Sequence, residues 1–66
     1  MLNITALESY IFFMKESMRL NDEMKKAYFE NRFNDVLKLR NQFDTTIKRA
    51  QAEKINAGLE VDKRVN

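Results

Sequence analysis

The sequence predicts an all-α protein built as a two-helix antiparallel hairpin, and three observations carry that expectation. There is no proline, and the single glycine stands at position 58. Strands and loops need those residues as punctuation, so a span of this length without them reads as helix. Ala, Leu, Met, Glu, Lys, Arg and Gln fill most of it, the residues that lose least on entering a helix. Apolar side chains also recur every three to four positions, the period of a helix with one buried face.

The first element opens at Thr5-Ala6-Leu7-Glu8. There Thr5 can accept from the amide of Glu8 while Glu8 reaches back to the amide of Thr5, a capping box. The weakest helical stretch is Glu30-Asn31-Arg32-Phe33-Asn34-Asp35. Asn31 suits a left-handed residue ending a first helix, and Asn34 or Asp35 suits the N-cap of a second. These signals give helices over about 5–30 and about 34–57, joined by a tight turn. Gly58 closes the last turn. Residues 1–58 are then the hairpin, and 59–66 form a flexible C-terminal tail, too short and charged to fold alone.

A rival reading is a single long helix in a coiled coil. The apolar stripe of the second helix (Val36, Leu39, Phe43, Ile47, Ala50) continues in phase with that of the first, which a long coiled coil requires and a hairpin does not. Against it, Phe33 and Leu37 fall off such a seam.

At 100° per residue, the apolar side chains of the first helix sweep an arc of about 200°. It runs from Ala27, Leu20 and Phe13 through Met24, Tyr10, Tyr28, Met14 and Leu7 to Met18, Ile11 and Phe29. Glu8, Lys15, Glu16, Arg19, Asp22, Glu23 and Lys26 fill the rest, with Lys25 misplaced in the apolar arc and Phe12 in the polar one. A surface helix ordinarily shows a stripe of about 100°, which is all that the second helix has. The first helix therefore needs a neighbour beyond the second.

That neighbour is either a copy of the same chain, giving a homodimeric four-helix bundle, or a helix of another protein. The interface expected is Leu7, Tyr10, Ile11, Phe13, Met14, Met18, Leu20, Met24 and Tyr28, with Phe12 as an exposed anchor beside it. Leu37 and Ile55, off the stripe of the second helix, could join Phe12 in a smaller apolar patch. Asn21 falls inside the apolar arc, where a lone Asn either sets register or oligomeric state or lies at the solvent edge.

Composition points the same way. With 66 residues the chain can bury only a small core, and it has neither Cys nor His to brace that core with disulfides or zinc. The same absence removes the thiolate nucleophile and the imidazole base, and no glycine-rich loop exists to cradle phosphate. The carboxylates mostly alternate with Lys and Arg, as on a solvated helix face. An enzyme is not expected, nor a cofactor or metal. The expectation is a small regulator, inhibitor or assembly or export chaperone that works by binding protein.

The alternative is an RNA- or DNA-binding dimer using Lys38, Arg40, Lys48, Arg49 and Lys54 of the second helix. Charge is mildly asymmetric in its favour. Residues 1–30 carry four basic and five acidic side chains, and residues 31–66 carry eight and five. The basic residues are, however, spread around the helix, and neither a stacking motif nor a helix-turn-helix signature accompanies them. The longest apolar run, Tyr10 to Met14, is far short of the roughly 20 residues that span a bilayer. No membrane partner is expected, and the setting expected is the cytoplasm of a bacterium or a phage-infected one.

The length and inferred topology resemble the plasmid-copy-control hairpin proteins of the Rop type, which implies a dimeric four-helix bundle that binds RNA. The segment Met24 to Leu39 is similar to the hairpins of flagellar export chaperones. Asn31, Phe33 and Asp35 stand near that family's Gly-aromatic-Asp turn, without its glycine. Neither resemblance assigns a role to a residue.

Overall fold

A computed structural model describes residues 2–60. They form two α-helices packed against each other, α1 (Ile4–Phe29) and α2 (Phe33–Asn56), and no strand occurs among the described residues. The chain reverses through Glu30, Asn31 and Arg32, so it is a hairpin and not one continuous helix.

Asn31 makes the reversal. It is the only non-glycine residue with positive φ among those described, at 61°. Asn tolerates this left-handed conformation better than β-branched or bulky residues do. Around it the Arg32 amide donates to the Ala27 carbonyl (2.8 Å) and the Asn31 amide to the Tyr28 carbonyl (3.1 Å). Both bonds satisfy carbonyls that a helix end would otherwise strand, the pattern of a Schellman cap. The end of α2 repeats it around Gly58 (φ 83°), with Gly58 donating to Ile55 and Leu59 to Lys54. Glu60 then meets Gln51 at 2.6 Å and Lys54 at 3.5 Å, so the first two residues of the expected tail lie against α2. The rest of that tail, 61–66, lies outside the described residues.

Both N-caps differ from expectation. At α1 the cap is Asn3, not Thr5: its backbone is extended and its Oδ1 accepts from the Ala6 amide at 3.1 Å. Asn caps at least as well as Thr, and starting there adds Ile4 to the expected helix. At α2 the cap is Arg32, not Asn34 or Asp35, and no side chain caps it. The Schellman turn leaves no slack. The Arg32 amide serves Ala27 while its carbonyl already accepts from Val36 at 3.1 Å. Asp35 instead sits in the first turn, where a negative charge suits the helix dipole, and takes a bond from Arg32 at 2.8 Å.

Burial separates the two faces of α1. Ala6, Tyr10, Phe13, Ser17, Leu20, Met24 and Ala27 are all buried or half-buried, at alternating spacings of four and three. On α2 the same holds for Val36, Leu39, Phe43, Thr46, Ala50, Glu53 and Ala57. Each is a heptad seam of the antiparallel coiled-coil kind. Counted outward from the turn, Ala27 falls level with Val36, Leu20 with Phe43, Phe13 with Ala50, and Ala6 with Ala57. Alanine lets the helices close at Ala27, Ala50 and the Ala6–Ala57 end, while Leu20 packs level with Phe43 at the middle. Ser17, only 3% exposed, satisfies its hydroxyl by donating to the Met14 carbonyl at 2.7 Å.

Leu20 is the largest fully buried side chain, and the other buried apolar residues are alanines. The core is thus one thin seam. The Cα extents of 46 × 26 × 11 Å describe a single layer of two helices, open on both broad sides.

Candidate functional site

The nine residues expected at an interface divide between two faces of α1. Leu20, at 2% exposure, lies under α2 and has no surface to offer another chain. Tyr10, Phe13 and Met24 sit half-buried in the same intramolecular seam. Leu7, Ile11, Met14, Met18 and Tyr28 lie on the other side of the arc, where Met18 is 65% and Tyr28 59% exposed. The arc is wide because it holds two seams, one used by the hairpin and one free of it.

The outer seam is itself a heptad pattern: Ile4, Leu7, Ile11, Met14, Met18, Asn21, Lys25 and Tyr28, spaced by three and four residues in turn. Its axis lies about 110° around α1 from the seam that α2 fills, at 100° per residue. Leu7 and Met14 are half-buried at its near edge, and the remaining residues are exposed. Ile4 belongs to it and was missed because α1 was expected to begin at Thr5; the Asn3 cap was the signal that places it. At the turn end Tyr28 stands edge-on to Phe29 (5.8 Å) and to Phe33 (5.9 Å), an exposed aromatic cluster.

Phe12 lies on the opposite broad side. It is 62% exposed and packs edge-on against Phe13 with ring centroids 5.6 Å apart. The two rings with Leu20 form one wall of an open groove of about 530 Å³, whose α2 wall is Asn41, Gln42, Thr45, Thr46 and Arg49. Both threonine hydroxyls there donate to carbonyls one turn back on α2. Leu37 is exposed and Ile55 half-buried. Leu37 falls level with Lys26, about 20 Å along the axis from Phe12, so the three do not make one patch.

The basic residues of α2 are not gathered into one stripe. Lys38 and Arg49 share an azimuth, Arg40 and Lys48 lie at two others, and half-buried Lys54 pairs with Glu60. On α1 the polar face carries its own network. Arg19 grips both oxygens of Glu16 and reaches Glu23 at 2.9 Å. The Arg19 hydrogen bonds hold the Glu16 carboxyl below its ordinary pKa, and Glu16 in turn raises that of Arg19. Among the described residues no group of His, Cys, Asp or Glu is placed to hold a metal ion. None of their helices is long and apolar enough to cross a membrane.

Fold and site together define an all-α hairpin with one filled and one open heptad seam. No protein family, curated protein or solved structure matches this chain.

Proposed function

We propose that the chain is a non-enzymatic protein–protein interaction module, a regulator, inhibitor or assembly chaperone, that binds through the outer seam of α1. One observation carries the reading: Ile4, Ile11 and Met18 recur at heptad spacing, Tyr28 follows on the same seam, and all four are at least 45% exposed. Single apolar residues on a surface need no explanation, but a contiguous stripe marks a contact site. Helical spacing fits the stripe to another helix. The thin core supports the same reading, since short chains commonly complete their stability by association. Assembly into a four-helix bundle is the form this takes when the second helix comes from a copy of the chain.

The test is binding of an apolar dye such as ANS together with the sedimentation mass. The chain is expected either to associate or, as a monomer, to bind the dye, and Met18→Asp is expected to abolish whichever occurs. A wild-type monomer that binds no dye contradicts the proposal.

A further inference from the structure

Resting on that interaction reading, we infer that the occupant of the outer seam is a second copy of this chain, its α1 antiparallel to the first. The inferred register sets Ile11 opposite Met14 of the other copy, in both directions.

The charges beside the seam select this arrangement. Glu8, Lys15 and Asp22 line its outer flank one heptad apart, and none makes an ion pair among the described residues. In an antiparallel pair, flanking residues of this class face each other across the seam. With Ile11 opposite Met14, Leu7 meets Met18, Asn21 falls at the solvent-exposed end opposite Ile4, and Glu8 faces Lys15 twice. Four apolar layers are then continuous, and both charge pairs attract.

The neighbouring arrangements each carry a fault. Full overlap, with Ile4 opposite Tyr28, sets Lys15 against its own copy and Glu8 against Asp22. A one-heptad slip the other way pairs Lys15 with Asp22 but lays Lys25 on Met14 and Asn21 on Met18, leaving Ile4 and Leu7 uncovered. Parallel pairing stacks Lys25 on Lys25. Like charges across a seam oppose pairing. A flank that complements itself only when reversed is what two copies of one chain need, and the open seam adjoins the one α2 already fills.

The chain has no cysteine, so engineered thiols report cleanly. Ile11→Cys and Met14→Cys chains, mixed and oxidised, are expected to give the heterodisulfide, with little cross-linking of either variant alone, because a disulfide requires Cα atoms within about 7 Å. Glu8→Lys is expected to weaken the dimer about tenfold, and Glu8→Lys with Lys15→Glu to restore it. Self-cross-linking of Ile11→Cys, or a dimer giving no cross-link at all, overturns the register. A monomer that binds ANS overturns the second copy as occupant but leaves the interaction module standing; a monomer that binds none removes both.

Discussion

The backbone amide of Asn3 donates to the carbonyl of Ala57 at 3.4 Å, tying the start of α1 to the end of α2. So close an approach needs small side chains, and Ala6 and Ala57, level with each other, are 5% and 0% exposed. Ala57→Leu is therefore expected to overpack this end and cost about 1–3 kcal/mol. Thermal unfolding of the two proteins checks it, and an unchanged midpoint would mean that the ends are not held together.

The two candidate caps of α1 make opposite forecasts. Asn3→Ala removes the acceptor for the Ala6 amide and is expected to cost about 1 kcal/mol. Thr5→Ala, at an exposed helical position, is expected to stay within about 0.5 kcal/mol of wild type. Denaturant titration of both variants measures the difference directly.

At the turn, the left-handed Asn31 makes Asn31→Gly close to neutral, while Asn31→Val is expected to cost about 1–2 kcal/mol. Were the chain a continuous helix, the order would reverse, because glycine would then be the poorer residue.

Glu16 supplies a pH prediction. Its folded-state pKa is depressed by the Arg19 hydrogen bonds. Whatever stability the pair contributes is thus present above the unfolded carboxylate pKa and lost as pH falls through the lower folded value. An NMR titration of the Glu16 side-chain carboxyl in wild type and Arg19→Gln is expected to show the midpoint move upward in the variant. A midpoint that stays put would mean that Arg19 does not hold it.

Much of the hairpin was legible in sequence because its signals are local. The missing proline, Asn31 and Gly58 each act within a turn or two of themselves, and the structure uses both residues in the left-handed conformation expected of them. The caps were less legible because Asn3 and Thr5 are both good N-caps, and the choice between them depends on where α2 ends. Arg32 could not have been named a cap from its side chain, which caps nothing. The breadth of the α1 arc was readable, but its division was not. Leu20 and Met18 look alike in sequence, and only the position of α2 buries one and leaves the other exposed. Small residues would have helped: Ala6, Ser17 and Ala27 mark where another helix comes close, and Ile4, Ile11 and Met18 mark where none of this chain does.

Sedimentation equilibrium of wild type and Met18→Asp, with helicity followed by circular dichroism, bears most directly on the claim that the outer seam of α1 is a binding surface. The wild type is expected at twice the chain mass, and Met18→Asp as a helical monomer, since its side chain is exposed in the single chain. A Met18→Asp protein that remains dimeric, or a wild-type monomer with no affinity for apolar dye, would contradict it.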